Sequence, residues 1–155
     1  MLLPAEFSVA YIGDATAGLT LILPRDHYDE PILVTCASGS PYAIFLGQNK
    51  FAGFECTNNN SFGGILIPNV SIEINEDSIF DAENRQPPLG ALVRRGTQID
   101  LITRTESGFR RPIKTPLIVG LPPCSQTMAA GFTKWQIFIG EGIMKRELRR
   151  IEIGD

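Results

Sequence analysis

The chain has 155 residues and a mass of 17.0 kDa, a length typical of one domain, so we expect a single domain over residues 1–155. Hydrophobic residues make up 43% and charged residues 20% of the chain, a composition that excludes an intrinsically disordered protein. The 15 glycines and 11 prolines favour many short elements joined by turns over a helical bundle. The pI near 5.2 argues against a dedicated nucleic-acid-binding domain.

Membrane and secretion signals are missing from the sequence. No stretch approaches the roughly 18–20 consecutive apolar residues of a membrane-spanning helix, and Met1 to Glu6 lack the basic start and the long apolar run of a secretory signal. The cysteines Cys36, Cys56 and Cys124 are an odd number at wide spacing, which fits reduced thiols better than a disulfide framework. We therefore expect a cytoplasmic protein with no membrane partner.

The charges are distributed unevenly along the chain. Residues 1–84 contain eleven acidic and two basic residues, and residues 85–155 contain six acidic and twelve basic residues, so the two parts carry net charges of −9 and +6. Interleaved strands that cancel the charges locally are the first explanation, and contact between the acidic surface of one copy and the basic surface of another is the second. Nucleic-acid binding is the least favoured, because the basic residues are not interleaved with aromatic residues.

β-Branched and aromatic residues between turn signals predict strands along the whole chain. The clearest lies at residues 69–75, where polar and apolar residues alternate as in a strand with one buried face. Residues 64–68 are apolar on both faces, and Pro68 removes a hydrogen-bond donor, so we expect a bulge or a sheet edge there. The other predicted strands are 7–12, 19–23, 32–36, 42–46, 53–57, 91–94, 98–105, 117–121, 135–139 and 148–153.

Helical signals are sparse, and we expect one or two single-turn helices. Asp77 or Ser78 is a candidate N-cap for a turn over residues 79–82, and residues 125–131 run from a serine cap to a glycine stop. Between residues 143 and 153, good helix formers compete with a period-two pattern, and we favour a strand. Strands spaced by about ten residues predict an all-β, mainly antiparallel fold, a sandwich or distorted barrel of about ten short strands.

His27 is the only histidine, which excludes zinc sites built on several histidines and His-Glu-x-x-His proteases. Cys-x-x-Cys pairs, phosphate-binding glycine motifs and a Gly-x-Ser-x-Gly elbow do not occur either, so we predict no cofactor, no metal and no assigned catalytic residue. His27 lies between Pro24 and Pro31 in a polar segment, which indicates a solvated loop histidine. A small enzyme that uses His27 with Asp26 or Asp29 stays an alternative.

Five carboxylates lie within eleven residues that contain no basic residue: Glu73, Glu76, Asp77, Asp81 and Glu83. Carboxylate oxygens bind Ca²⁺ and Mg²⁺, but this spacing does not match the EF-hand loop, and no glycine occupies its turning position. We interpret the cluster first as a solvated acidic loop, then as a contact surface for the basic half of the chain, and last as a metal site.

Arginines flank two predicted neighbouring strands and form the candidate ligand-binding site: Arg94, Arg95, Arg104, Arg110 and Arg111. If the strands pair as a hairpin, their guanidinium groups are expected to gather at one rim and to hold a phosphate or carboxylate group through paired hydrogen bonds. The competing interpretation is a solvated hairpin whose charges protect a sheet edge. A charged edge is also expected for the basic pairs at residues 145–146 and 149–150.

Aromatic residues are concentrated between residues 42 and 62, among several glycines. Packing in the core is the favoured interpretation of these residues; the alternative is that loops expose an aromatic surface to a ligand or to another subunit. The candidate interface residues are Phe45, Phe51, Phe54 and Phe62.

These observations together predict a non-enzymatic binding or assembly module. We expect a homo-oligomer held through acidic, basic and aromatic surfaces, because the exposed edges of many strands must be covered. The first alternative is a small-molecule binding protein that takes an anionic ligand at an Arg-lined barrel mouth. The second is the small enzyme based on His27.

Overall fold

The computed structural model describes residues 8–11, 18–24, 31–37, 40–47, 50–55, 63–67, 70–96, 98–104, 110–115 and 128–154. These residues form fourteen strands, with 3-10 turns at Glu76–Ser78 and Gly142–Met144 and no α-helix among them. None of the described ranges therefore contains a helix long and apolar enough to cross a membrane. In chain order the strands are β1 (Ser8–Tyr11), β2 (Gly18–Pro24), β3 (Ile32–Ala37), β4 (Ser40–Phe45), β5 (Ala52–Glu55), β6 (Gly63–Ile67), β7 (Val70–Ile74), β8 (Ile79–Asp81), β9 (Leu92–Arg95), β10 (Gln98–Arg104), β11 (Arg110–Thr115), β12 (Ala130–Phe132), β13 (Lys134–Ile139) and β14 (Arg146–Glu152).

The strands form two hydrogen-bonded sheets. The larger sheet has eleven strands in the order β1-β6-β2-β3-β4-β5-β10-β9-β12-β8, with β11 paired to β10 outside this path, and the smaller sheet has the order β14-β13-β7. The described strand pairs are antiparallel except for one parallel bridge between Ala52 of β5 and Arg104 of β10. This architecture confirms the predicted all-β, mainly antiparallel, sandwich-like fold.

Strand β10 organises the middle of the larger sheet. β11 pairs along one of its edges, while the other edge is shared between β9 at its start and β5 at its last residue, Arg104. Between these two neighbours, Ile102 donates its N–H to the Ala91 carbonyl at 2.9 Å and accepts a hydrogen bond from the Gly90 N–H at 2.8 Å. The segment that precedes β9 is thereby held against β10.

The two sheets pack face to face on one hydrophobic core. In β13, Trp135, Ile137 and Ile139 are buried and alternate with less buried residues, as expected for a strand with one face in the core. Trp135 is 1% exposed, and its Nε1–H donates to the Gly90 carbonyl at 2.9 Å, which satisfies the one polar atom of the indole. Buried side chains from both sheets complete the core: Leu21, Leu33, Ile44, Leu46, Phe51, Ile67, Ile72, Leu92, Ile99, Leu101 and Ile151.

Most of the predicted strands are present in the described residues. The alternating segment at residues 69–75 forms β7, and the C-terminal segment is the strand β14 rather than a helix. The predicted strand at 117–121, the position of Pro68 and the start of the predicted turn at 125–131 lie outside the described residues.

The helical turn predicted over residues 79–82 is wrong. The cap is Asn75, whose side chain accepts a hydrogen bond from the Asp77 N–H at 2.9 Å, and the 3-10 turn ends at Ser78. Ile79 then has the extended backbone angles φ −63° and ψ 139°, so the chain continues as β8. The helical turn does not continue, because residues 79–81 pair with another strand, β12.

That partner strand, β12, also corrects the end of the second predicted turn, since residues 130–132 are extended. Phe80 of β8 lies directly opposite Gly131 of β12, and a Cβ atom on Gly131 would overlap the ring of Phe80. The glycine expected to stop a helix instead makes room for an aromatic ring from the neighbouring strand. Pairing between segments about fifty residues apart overrides the local signal in both places.

Gly90 provides a test of the packing between the sheets. Its φ is +86°, and a Cβ atom would lie 2.5 Å from Cε2 of Phe51 and 2.7 Å from Cδ1 of Ile153. We expect Gly90→Ala to lower the free energy of unfolding by about 2–4 kcal/mol, because it adds backbone strain and overpacks the core. Urea unfolding followed by Trp135 fluorescence measures this change.

The matched control is Gly154→Ala, at a position where no atom lies within 4 Å of the added Cβ. We expect it to change the free energy of unfolding by less than about 0.5 kcal/mol. Equal stabilities of the two variants would contradict the packing described around Gly90.

Candidate functional site

The five candidate arginines occupy both ends of β10. Arg94 and Arg95 of β9 pair with residues at its start, whereas Arg110 and Arg111 of β11 pair with its last two residues, which end at Arg104. The six steps from the first to the last residue of β10 span about 20 Å. The structure therefore brings the backbones of Arg104, Arg110 and Arg111 together and separates them from Arg94 and Arg95. The reason is the meander: one hairpin turn joins β9 to the start of β10, and the next connection leaves from its end.

The arginines at the start of β10 already have partners within the fold. Arg94 Nε donates to the carbonyl of Gly96 at 3.1 Å in a part-buried position. Arg95 Nη2 lies 3.2 Å from Oε1 of Glu83, and the same oxygen accepts the N–H of Ala129 at 3.0 Å. These contacts connect β9 to the segments around β8 and β12. An anion bound by Arg95 would compete with Glu83.

The other end of β10 holds Arg104, Arg110 and Arg111. Arg104 is exposed, while its backbone N–H donates to the carbonyl of Phe51 at 2.9 Å. In the register of β10 and β11, Arg104 lies opposite Arg110, and Thr103 lies opposite Arg111. Of the predicted arginine site, this end is the part in which arginines of two paired strands lie opposite each other.

The predicted aromatic interface is not formed as expected at Phe51. This residue is 1% exposed, has a φ of 46° before β5, and lies in the core against Gly90, so it packs the sheets together and presents no surface. Phe45 is half-buried in β4, and Phe54 lies in β5 opposite Ala43. Phe62 is outside the described residues, as is His27, the candidate of the enzyme alternative.

Residues 76–83, which we call the acidic segment, surround the exposed strand β8. Asp81 accepts hydrogen bonds from Asn84 Nδ2 at 2.6 Å and from the Glu83 N–H at 2.9 Å; the bond from Asn84, followed by that from Glu83, lowers the pKa of Asp81. Glu76 and Asp77 are exposed, and neither forms an ion pair with a lysine or arginine among the residues that the structure describes. Within the described residues, no three His, Cys, Asp or Glu side chains are grouped as a metal site would need.

The outer face of the smaller sheet carries a polar network that was not predicted from the sequence. Lys145 forms an ion pair with Glu73 of β7, and its Nζ lies 4.8 Å from the ring centroid of Phe138 in β13. The aromatic ring is thereby covered by the stem and the charge of one lysine. The lysine fixes the end of the β13–β14 connection to the face of the sheet.

A β-bulge places a second group of this network on the same face. The register between β13 and β14 shifts between Ile137 and Phe138, where β14 contains one extra residue. Residues three apart normally point to opposite faces of a strand, and the extra residue reverses this alternation. Glu147 and Arg150 can therefore pair, with Arg150 Nε donating to Glu147 Oε1 at 3.0 Å and Gln136 Nε2 donating to the same oxygen at 3.1 Å.

A small polar cleft lies beside this network. Its volume is about 210 Å³, and its wall consists of Asn75, Lys134, Trp135, Gln136, Arg150 and Glu152. Two cations, Lys134 and Arg150, and one anion, Glu152, line it. Arg150 is already paired with Glu147, and Lys134 lies opposite Glu152 in register, so the cleft does not define a ligand class.

Residues 140–145 form the tip of the β13–β14 hairpin, which we call the hairpin tip. Gly140 and Gly142 have φ values of +83° and +57°, and between these glycines and β14 lie two exposed apolar residues. Ile143 is fully exposed and Met144 is 67% exposed. Two glycines with a single residue between them were the available sequence signal for a tight turn.

The hairpin tip and the acidic segment lie at opposite ends of the smaller sheet. Val70 at the start of β7 is opposite Ile139, which precedes the hairpin tip, and Ile74 at its end is opposite Trp135 and precedes the acidic segment. The five steps from Val70 to Asn75 span about 17 Å. One molecule thus presents an apolar end, followed in the chain by Arg146, which has no ion-pair partner among the described residues, and an acidic end, and the two ends face away from each other along the strands.

These features define an all-β protein of two packed sheets with charged surfaces at the ends of the smaller sheet. A family model described as "Uncharacterised protein y4lG" matches residues 13–155. The protein printed as "Uncharacterized protein y4lG" from Sinorhizobium fredii (strain NBRC 101917 / NGR234) is 38% identical over 149 residues, which cover 96% of this chain and 91% of that protein. The chain therefore belongs to the Y4lG family. No solved structure matches it.

The bulge network makes a prediction about the titration of Glu147. Hydrogen bonds from Arg150, and then from Gln136, lower the pKa of Glu147. We expect Arg150→Gln to raise this pKa toward its ordinary value, as measured by NMR titration of the Glu147 carboxyl. Because the folded-state pKa is lowered, the stabilisation is present above the unfolded-state pKa and is lost as the pH falls through the folded-state pKa.

Arg149→Gln is the matched control, since it removes the neighbouring charge of the same strand without touching the hydrogen bonds to Glu147. We expect it to leave the pKa of Glu147 close to the wild-type value. If both variants raised the pKa equally, general charge and not the bulge geometry would be the cause.

Proposed function

We propose that the protein is a non-enzymatic assembly module whose copies associate through complementary charge. The acidic segment of one copy contacts the basic residues that follow the hairpin tip of the next copy. The observation that carries this proposal is the placement of the two charged regions at opposite ends of β7, each with charges that no described residue of the same chain neutralises.

The charges available for such a contact are few and specific. On the acidic side, Glu76 and Asp77 are exposed. On the basic side, Arg146 is exposed and Arg149 is half-buried, and neither forms an ion pair with another described residue. Opposite potentials on two surfaces guide association and select the partner, so contact between copies would use charges that the monomer leaves available.

The sheet edges support the same proposal. β8 is the last strand of the larger sheet and β14 is the last strand of the smaller one. Exposed edges pair readily with other chains, and a charged edge limits this pairing to partners of opposite charge. β14 has the sequence RELRRIE, in which cations outnumber anions, while β8 ends in Asp81.

The two surfaces are different, so each contact joins the acidic segment of one copy to the basic residues of another. A two-fold dimer of antiparallel copies makes this contact twice, whereas head-to-tail repetition makes it once per copy and gives a closed ring or an open filament. The solution mass distinguishes a dimer from the larger species.

Charge reversal tests the proposal. We expect wild-type protein at low salt to have a solution mass above the 17.0 kDa monomer, and the variants Glu76→Lys/Asp77→Lys and Arg146→Glu/Arg149→Glu each to be monomeric. Mixing the two variants is expected to restore the larger species, because each reversed surface then meets a complementary one. Light scattering during gel filtration, at about 20 mM and about 500 mM salt, measures the mass and its screening.

Lys50→Glu/Arg104→Glu is the matched control, since it makes the same change of charge at exposed residues of the larger sheet. It is expected to assemble like the wild type. A wild-type protein that stays monomeric at every salt and protein concentration would falsify the proposal.

A second function, the binding of an anionic small molecule, is supported by one observation. Arg104 and Arg110 occupy positions opposite each other in register, and Arg104 is exposed; arginine is the residue that best binds an anionic oxygen pair. We expect inorganic phosphate to bind there and Arg104→Gln to weaken this binding, measured by calorimetric titration. Binding that is unchanged in Arg104→Gln, or no binding to the wild type, would contradict this function.

A further inference from the structure

We infer that the exposed apolar residues of the hairpin tip anchor the contact between copies by packing on Ile79 of a second copy. This inference rests on the proposed function and adds to it the apolar side chains that lie at the centre of the contact. Charge alone guides association, whereas a few buried apolar side chains at the centre of an interface supply most of its affinity.

The hairpin tip presents its apolar side chains on a well-defined backbone. Met144 donates its N–H to the Glu141 carbonyl at 3.0 Å, and Lys145 donates to the Gly142 carbonyl at 3.2 Å. A Cβ atom on Gly140 would lie 2.5 Å from the Met144 carbonyl oxygen, so the turn is tight on its inner side. The contacts of Lys145 with Glu73 and Phe138 hold its end on the sheet. Ile143 and Met144 therefore project from an ordered turn.

The exposed apolar side chains of the hairpin tip indicate an interaction surface. Only four large hydrophobic residues of the described chain are strongly exposed, and two of them are neighbours in the hairpin tip: Ile79, Met128, Ile143 and Met144. Lys145 and Arg146 follow them directly. An apolar centre beside charged residues is the arrangement of an interface core with a polar rim.

Ile79 provides a surface of the complementary kind. It is 59% exposed in the edge strand β8, and strand alternation places it on the same face as Asp81, while the ring of Phe80 is on the other face against Gly131. Glu76 and Asp77 precede it in the 3-10 turn. The apolar side chain of this surface is bordered by anions. In the hairpin tip the two apolar residues are preceded by Glu141 and followed by Lys145, which is paired with Glu73, and by Arg146, which is the charge available to those anions.

A second copy of the chain is the occupant that explains both surfaces. An anionic lipid surface would attract the cations of the hairpin tip and accept Ile143 and Met144, but it would leave Ile79 exposed and would repel the acidic segment. Contact between copies covers the apolar residues at both ends of the smaller sheet and pairs their borders. Every copy carries both surfaces of this contact, the hairpin tip and the acidic segment.

The test is a pair of serine substitutions at the hairpin tip, which are compatible with folding because the side chains are exposed. We expect Ile143→Ser/Met144→Ser to raise the apparent dissociation constant of assembly about tenfold or more, since the apolar centre of the contact is removed. Ile79→Ser is expected to have the same effect. Ile143→Leu/Met144→Leu keeps the apolar character and is the matched control, expected to assemble like the wild type. Light scattering over a dilution series measures the constants, and urea unfolding checks that each variant is folded.

Photo-crosslinking identifies the partner surface directly. With benzoylphenylalanine in place of Ile143, a mixture of isotopically light and heavy protein is expected to give mixed-label crosslinks to residues 76–83, read by mass spectrometry. Sedimentation with phosphatidylserine vesicles is run in parallel, and we expect no binding that depends on Ile143 and Met144.

The outcomes separate this inference from the proposed function. If the wild type assembles in a salt-dependent manner but the serine variants assemble equally well, the anchor is wrong and the charge-based assembly stands. Crosslinks to other segments, or vesicle binding that the serine substitutions abolish, also overturn the anchor. A wild type that never assembles overturns both.

Discussion

The hydrogen bond from Trp135 to Gly90 is the constraint on which the rest of the structure depends. It joins the middle of the smaller sheet to the segment before β9, and the same glycine donates its N–H to Ile102 of β10. A side chain at Gly90 would meet the ring of Phe51, so both the left-handed backbone and the close approach require glycine. Because one residue contacts both sheets, the position of β13 is determined there, and with it the direction of its outer face.

The outer face then follows from strand alternation and from its one interruption. Inward residues of β13 fill the core, so Gln136 and Phe138 face outward beside Glu73 of β7. The bulge in β14 reverses the alternation and adds Glu147 and Arg150 to this face. The burial of one face of β13 therefore determines which residues form the surface network and how the hairpin tip is oriented.

The uneven charge of the chain is partly cancelled within the fold. Glu83 pairs with Arg95 and Glu73 with Lys145, so acidic residues of the first part of the chain meet basic residues of the second. Such exposed pairs contribute little stability individually, but they decide which charges stay available. Among the charges left without a described partner are Glu76 and Arg146, at the two ends of the smaller sheet, and the proposed function places contacts between copies there.

The amino-acid sequence by itself determined the all-β class, the alternating strand β7 and most of the other strands, because the period of apolar residues is a local property. It did not reveal β8, β11 or β12. The three-residue strands β8 and β12 exist only through their partners, as Phe80 does against Gly131, and β11 is formed by pairing along β10 from Ile99 to Arg104. It also grouped the arginines at one rim, and it left open whether Phe51 lies in the core or at an interface. The pairing of strands around β10 separated the arginines, and the packing of the sheets buried Phe51. Only the tertiary structure determines these two outcomes. The strand end beside which a residue lies, and the face on which its side chain lies, depend on pairing and packing with segments far away in the chain.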